Sequence, residues 1–100
     1  MALTGKQIKQ LRSLTHHLDP VVIIGKNDIN IPVVDSACDA MEKHELIKCS
    51  VLDSSTLTVN EAAQELAQRC GAEVIQIVGH KFSIYRRSHR KDIKHIELIK

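Results

Sequence analysis

The sequence predicts an α/β two-layer sandwich in which helices pack on a four-stranded mixed sheet. Hydrophobic spacing and helix-capping motifs give the order α-β-α-β-α-β-β along the 100 residues. Because a helix connects each of the first three strands to the next, these strands are expected to run parallel, and a final hairpin adds an antiparallel strand. A chain of this length has room for one hydrophobic core.

Two capping boxes mark the starts of the first and third predicted helices. Thr4 with Gln7 opens the first helix, and Thr58 with Glu61 opens the third, because each pair can satisfy backbone N–H groups reciprocally. Apolar residues then recur at helical spacing. The expected buried faces are Ile8, Leu11, Leu14 and Leu18 in the first helix and Val59, Ala62, Ala63, Leu66 and Cys70 in the third.

The other elements follow from apolar runs and turn residues. Val21–Ile24 is an uninterrupted apolar run, which predicts a strand buried on both faces. Asn30 is the expected N-cap of the second helix, and Pro32 is tolerated in its first turn. The later strands are predicted at residues 46–52, 74–78 and 82–85, the last two joined by a hairpin at 79–81.

Composition favours a folded globular protein over a disordered, membrane-spanning or secreted one. Hydrophobic residues make up 43% of the chain, which favours a folded globule. The longest apolar run is far shorter than the roughly 20 residues that a membrane-spanning helix needs, and the N-terminus lacks the apolar stretch of a secretory signal. We therefore expect a cytoplasmic, monomeric protein without membrane contact. The irregular spacing of Cys38, Cys49 and Cys70 favours buried free thiols over a zinc or redox site.

No catalytic or metal-binding motif is present in the sequence. The adjacent His16 and His17 point to different helix faces and cannot chelate a metal together, and His44 is expected to be partly buried at the end of the second helix. Nucleophile-elbow, Walker-loop and paired-carboxylate patterns are absent. We therefore expect no enzyme activity, no cofactor and no metal.

Basic residues are concentrated at the two ends of the chain. Residues 1–18 carry three basic residues and no acid, and residues 86–100 carry six basic residues against two acids. Since the net charge of the whole chain is only +2, the middle is acidic. This distribution indicates an oriented molecule with one face for a polyanion, although a lopsided solvated surface is the alternative.

Several blocks of the sequence resemble one family in order and spacing. They are Leu3-Thr4, Leu11-Arg12, DPVVIIGK at 19–26, HELIK at 44–48, CGA at 70–72, QIVG at 76–79 and IYR at 84–86. Over residues 3–87 they are similar to the CRM (chloroplast RNA splicing and ribosome maturation) domain, in its stand-alone bacterial YhbY-type form. The HELIK block is the most specific of them.

The resemblance implies a fold and a class of ligand. It implies a fold similar to the C-terminal domain of bacterial translation initiation factor three, and binding to structured RNA through a G-x-x-G loop between the first strand and the second helix. Because bacterial members are associated with precursors of the large ribosomal subunit, it also implies a role in assembly of that subunit. Ribosomal RNA precursor is then the expected partner, with ribosomal proteins as further candidates.

The corresponding loop in this chain is Gly25-Lys26-Asn27-Asp28, with aspartate in place of the second glycine. Aspartate tolerates left-handed backbone better than most residues, so the turn can survive. Its carboxylate would repel a phosphate beside it, which predicts a weaker clamp. Lys26 and the helix N–H groups beyond Asn30 are expected to offset this, because a helix N-terminus attracts anions. Without the resemblance, an ordinary connection explains the same residues.

Basic residues outside the loop are expected to contact phosphates. They are Lys6, Lys9, Arg12 and His16 on one face of the first helix, Lys81 in the hairpin, and Arg86 and Arg87 after the last strand. A solvated face and a solubilising terminus are the alternatives. Phe82 and Tyr85 are the only aromatic residues, and this shortage favours recognition of duplex shape over base stacking.

Residues 1–87 are expected to form the RNA-binding domain, and 88–100 a basic C-terminal tail. The tail is expected to be mobile unless Ile93, Ile96 and Leu98 dock it. The alternative function is a protein-interaction adaptor on ribosomal precursors with weakened RNA binding, in which the acidic outer face of the second helix contacts a basic partner. A third hypothesis is a small hydrolase that uses one cysteine with a histidine.

Overall fold

The computed structural model describes residues 3–100, so the first two residues of the N-terminus lie outside the described range. Within it the elements follow the predicted order, and the predicted fold class is confirmed. They are α1 (Gly5–Thr15), β1 (Pro20–Ile24), α2 (Ile31–His44), β2 (Leu46–Val51), α3 (Val59–Cys70), β3 (Glu73–Val78) and β4 (Lys81–Tyr85). Both predicted capping boxes form, and Gly71 takes the left-handed cap of α3.

The strands form one mixed sheet in the order β1-β2-β4-β3. β1 pairs parallel with β2, and β4 pairs antiparallel with both β2 and β3. Thus β1, β2 and β3 run in one direction, as the crossovers predict, and β4 inserts between β2 and β3. Three connections therefore lie together where β1, β2 and β3 end: residues 25–30, residues 52–58 and the hairpin 79–80. We call this end of the sheet the loop end.

α2 and α3 cover one face of the sheet and enclose the main core. Apolar side chains of all four strands contribute to it, together with Ala37 and Met41 from α2 and Ala62, Ala63 and Leu66 from α3. The small alanines let α3 lie close to the strands. Burying an aliphatic side chain of this kind contributes about 1.5–3 kcal/mol, so this face supplies most of the hydrophobic stabilisation.

α1 covers the opposite face, but only in part, so it adds an incomplete third layer to the two that were predicted. Leu11 packs against Leu46, Ile75 and Tyr85 in a second apolar cluster. The expected position of Leu14 is wrong, because its side chain is 37% exposed and Thr15 is buried instead. The Thr15 hydroxyl lies 3.2 Å from the Ser83 hydroxyl. The sheet surface beneath the last turn of α1 is polar, so a hydroxyl packs there better than a leucine.

β1 has one covered face and one open face, so its expected burial on both sides is wrong. Val22 and Ile24 lie beneath the helical layer and are buried, whereas Val21 and Ile23 are 56% and 60% exposed. The reason is the position of α1, which contacts β2 and β3 and leaves β1 at the edge of the sheet uncovered.

The C-terminal segment (residues 88–100) is anchored by a buried carboxylate at the junction of α2 and β2. Glu45 has φ of 64° and is fully buried. Its Oε2 accepts the Ser88 N–H at 2.7 Å, its Oε1 accepts the Ile96 N–H at 2.6 Å, and His95 Nδ1 lies 2.9 Å from Oε2. Burial alone would raise the pKa of Glu45, but these hydrogen bonds outweigh it and hold the pKa below its ordinary value.

The same segment runs beside α1. Gln7 Nε2 donates to the Ile99 carbonyl at 2.9 Å, and Gln10 donates to the Glu97 carbonyl at 2.8 Å. Ile96 and Leu98 pack against the second apolar cluster. The C-terminal segment is therefore docked, which is the alternative that its apolar residues left open. Ile96 and Leu98, two of the three residues named for docking, hold the segment. The buried Glu45 carboxylate holds it as well, and the apolar pattern did not indicate this contact.

Candidate nucleic-acid interface

The loop after β1 forms a tight turn with a left-handed residue at its end. The Asp28 N–H donates to the Gly25 carbonyl at 2.9 Å, and Asp28 has φ of 51°. This is the conformation for which glycine is favoured, and aspartate is among the few other residues that adopt it readily. The turn therefore keeps its shape without the second glycine.

The Asp28 carboxylate is directed to the connection between β2 and α3. Its Oδ1 accepts hydrogen bonds from the Ser55 hydroxyl at 2.7 Å and the Thr56 N–H at 2.9 Å, and its Oδ2 accepts from the Thr56 hydroxyl at 2.6 Å. The bonds from Thr56 and Ser55 lower the pKa of Asp28. The carboxylate thus ties the two connections at the loop end together, a structural role that the sequence did not reveal.

The N-terminus of α2 has fewer unpaired N–H groups for binding an anion than expected. The Asn30 side chain accepts the Val33 N–H at 2.9 Å, and Pro32 has no N–H to give. Only the Ile31 N–H is then left in the first turn. Within residues 3–100, the N–H groups of Lys26 and Asn27 donate to no protein acceptor. The groups that can bind an anion are therefore the N–H groups of Lys26, Asn27 and Ile31, together with the exposed Lys26 side chain.

The cationic side chains of α1 form a stripe along the sheet. Lys6, Lys9, Arg12 and His16 are all exposed. The stripe begins beside the C-terminal segment, which Gln7 contacts, and His16 ends it at the loop end. Arg12 Nε donates to the Ile75 carbonyl at 3.2 Å, which holds that guanidinium over the β3 edge.

A small groove joins the end of this stripe to the hairpin. It has a volume of about 90 Å³, and His16, Lys48, Gln76, Val78 and Lys81 contribute to its lining. His16 and Lys81, predicted from distant parts of the sequence, therefore meet in one place. Lys48 was missed. It belongs to the HELIK block, and strand alternation could have placed it on the opposite face from the buried Ile47 and Cys49.

Arg86 does not belong to this surface, which corrects its expected role. Its Nη1 donates to the carbonyl of Cys70, the last residue of α3, at 2.8 Å, and its Nη2 lies 3.0 Å from Glu42 Oε2. These bonds place its guanidinium against the helical layer. Arg87, the next residue, is exposed and lines a groove between α1 and the C-terminal segment with Lys94. It is far along the sheet from the loop end.

Other sites considered from the sequence gain no support. Within residues 3–100 the structure contains no cluster of three metal-binding side chains, and no helix there is long and apolar enough to cross a membrane. Burial raises the pKa of both Cys49 and Cys70 to about 12, so these thiols are poor nucleophiles at neutral pH. His44 is exposed, contrary to expectation, and its neighbour Glu45 is the buried ionisable group.

Comparison with known proteins places the chain in a family. A model of the CRS1/YhbY (CRM) domain matches residues 3–86. The chain belongs to the CRM domain family. The match spans every helix and strand of the fold and ends at the first residue after β4, so the CRM domain includes the turn, the α1 stripe and the groove described above.

Two curated relatives of this CRM domain are similar to it over almost their whole length. "Probable RNA-binding protein YqeI" of Bacillus subtilis is 38% identical over 96 residues, which are 96% of this chain and 98% of the relative. "RNA-binding protein" of Haemophilus influenzae is 33% identical and is covered over 93% of its length. The solution structure of the hypothetical protein SAV1595 from Staphylococcus aureus has a TM-score of 0.72 and 37% identity over 95% of this chain.

Proposed function

We propose that this CRM domain binds structured RNA on the face formed by α1, the turn Gly25–Asp28 and the groove at the loop end. The observation that carries the proposal is that His16, the last residue of the α1 stripe, lines one groove with Lys48 and Lys81. We take the stripe and these two lysines together as one track for phosphates. Such a track neutralises successive phosphates and releases their counterions. The names of the relatives from Bacillus subtilis and Haemophilus influenzae support the same ligand.

The distribution of acids favours an approach of RNA from this face. Asp35, Asp39 and Glu42 belong to α2, on the other side of the sheet, and Glu42 is paired with Arg86. The Asp28 carboxylate is occupied by Ser55 and Thr56. A polyanion therefore meets few uncompensated acids along the track. The role we propose is one of binding, without catalysis.

The finer proposal is that the RNA is a precursor of the large ribosomal subunit and that the protein acts in its assembly in the cytoplasm. Crosslinking in cells followed by sequencing of the bound RNA tests this, and reads concentrated outside ribosomal RNA would contradict it. The competing adaptor hypothesis uses the acidic face of α2. A pull-down after nuclease treatment separates the two, because partners of an RNA-binding protein are lost with the RNA.

Replacing Lys6, Lys9 and Lys26 together with alanine is expected to weaken binding to structured RNA at least about tenfold. It should also lower the slope of log affinity against log salt by about 2–3, since each phosphate contact contributes roughly 0.7–0.9 to it. These lysines are exposed, so the fold should be unaffected. Fluorescence anisotropy at several salt concentrations measures both quantities.

Lys43→Ala is the matched control, because Lys43 lies on the outer face of α2 beside Asp39. It should leave the affinity and the slope unchanged. An unchanged slope in the triple variant, or an equal loss in the control, would rule out the proposed track.

Asp28→Gly is expected to raise the affinity for RNA about two- to fivefold, roughly the effect of removing one unit charge near a phosphate in a water-like medium. It should also lower the midpoint of thermal unfolding, since the hydrogen bonds from Ser55 and Thr56 are lost. Asp28→Asn, which removes the charge and keeps a side chain that can accept, separates the two effects. Weaker binding by both variants, at a temperature where both are folded, would show that the carboxylate assists binding.

A further inference from the structure

We propose that the open half of the sheet at the loop end binds unpaired nucleotides of the RNA, with their bases against Ile23 and Val78 and their phosphates near Lys48 and Lys81. This inference rests on the proposed function and deepens it. It assigns the RNA a paired part along α1 and an unpaired part on the sheet.

The register of the strands builds this surface. Ile23 pairs with Ser50, Ser50 with Lys81, and Lys81 with Val78, so one row of side chains crosses all four strands. With strands about 4.8 Å apart, the row is about 14 Å long. Since α1 ends at Thr15, no helix within residues 3–100 covers this row. Lys48, Ser83 and Gln76 form the neighbouring row, toward α1.

The row has an apolar side chain at each end and a hydroxyl and one cation between them. Ile23 and Val78 are 60% and 61% exposed at its two ends, on the edge strands of the sheet. Lys81 lies between them, and the small, buried Ser50 leaves a shallow floor. Lys48 lines both the 90 Å³ groove beside Val78 and a second groove of about 490 Å³ beside Val21.

Unpaired nucleotides fit this arrangement better than a duplex does. A duplex presents phosphates and riboses and keeps its base faces stacked, so exposed aliphatic side chains gain nothing from it. An unstacked base has an apolar face that can cover a valine or an isoleucine, and its phosphate can reach the neighbouring lysine. The sequence predicted duplex recognition from the shortage of aromatic residues, but aliphatic side chains can supply the apolar contact.

A protein partner fits less well. The cores of protein–protein interfaces are depleted of lysine, because a charged group is costly to bury there. In this row Lys81 occupies a central position between the two exposed aliphatics, and Lys48 lies in the next row. The row of four contains no acid, so its charge complements a polyanion.

The test uses two RNA hairpins of equal length that share one compact tetraloop with stacked bases, one hairpin fully paired in its stem and one with a bulge of three unpaired adenosines. Ile23→Thr/Val78→Thr keeps β-branched side chains in the strands and removes apolar surface. We expect it to lose at least about fivefold in affinity for the bulged hairpin, because bases no longer cover the apolar groups that the two substitutions remove. Its affinity for the paired hairpin should change less than twofold. Ile99→Thr, at an exposed aliphatic in the C-terminal segment, should affect neither hairpin.

The methyl resonances of Ile23 and Val78 in the wild-type protein give a second measurement that needs no variant. They are expected to shift with the bulged hairpin and to stay in place with the paired one. Equal affinities of the double variant and the wild type for the bulged hairpin, or equal losses on both hairpins, would overturn the inference while RNA binding stands. Failure of the wild type to bind either hairpin would instead overturn the proposed function.

Discussion

Replacing Glu45 with glutamine is expected to lower the free energy of unfolding by about 2–4 kcal/mol, the range for breaking charged hydrogen bonds at a buried carboxylate. The Glu45 side chain is buried, and the Ser88 and Ile96 N–H groups and His95 all converge on it. A glutamine presents an N–H₂ group where one of these donors must bind. The positive φ at position 45 stays unfavourable for either residue.

The C-terminal segment should be released by this substitution before the rest of the domain unfolds. Limited trypsin digestion at Arg90, Lys91 and Lys94 measures the release, and chemical denaturation measures the stability. His95→Gln is the matched control, because it removes the one partner that is partly exposed and should cost about 1 kcal/mol or less. Equal stability of Glu45→Gln and the wild type would show that the carboxylate contributes nothing beyond the apolar contacts of the segment and its hydrogen bonds to α1.

The anchor also predicts a dependence on pH. Because the pKa of Glu45 is lower in the folded protein than its ordinary value of 4.5, its contribution to stability is fully present above pH 4.5. The contribution is lost as the pH falls through the lower folded pKa. The stability difference between the wild type and Glu45→Gln should therefore shrink in acid. A difference that stays constant from pH 7 to pH 3 would exclude the carboxylate as its source.

Arg86→Ala is expected to destabilise the domain by about 2–4 kcal/mol, although arginine at this point of the chain resembles an RNA contact in the sequence. Its guanidinium binds the carbonyl at the end of α3 and the Glu42 carboxylate of α2. Without it, the Cys70 carbonyl loses its side-chain partner and the partly buried Glu42 loses its countercharge. Against a typical total stability of about 5–15 kcal/mol, this is a large share.

Arg87→Ala is the neighbouring control, since Arg87 is exposed and no hydrogen bond from its side chain is present in the described structure. Its stability should stay within about 0.5 kcal/mol of the wild type. Urea denaturation of both variants gives the comparison. If Arg86→Ala proved as stable as Arg87→Ala and bound RNA more weakly, Arg86 would return to the set of RNA contacts.

Local signals in the sequence predicted most of the fold. Both capping boxes involve side chains three residues apart, so Thr4 with Gln7 and Thr58 with Glu61 could be recognised without knowledge of the rest of the molecule. The directions of the first three strands followed from the helices that connect them. These features depend on neighbours along the chain, and the sequence shows such neighbours directly.

Features that depend on distant partners were mispredicted. Thr15 is buried because Ser83 lies beneath it, and Val21 is exposed because α1 stops short of β1. In the candidate site, too, the feature set by neighbouring residues was predicted and the contacts between distant residues were not. The turn at Gly25 was recognised from its local pattern, but the engagement of Asp28 by Ser55 and Thr56 and of Arg86 by Cys70 joins residues far apart in sequence. Lys48 could have been found by alternation once its strand was assigned.

The contacts of Gln7 and Gln10 with Glu97 and Ile99 join α1 to a segment that follows all four strands in the chain. During synthesis on a ribosome, α1 therefore emerges well before the residues that cover its flank. Its packing against that segment can form only after the strands of the sheet have been made.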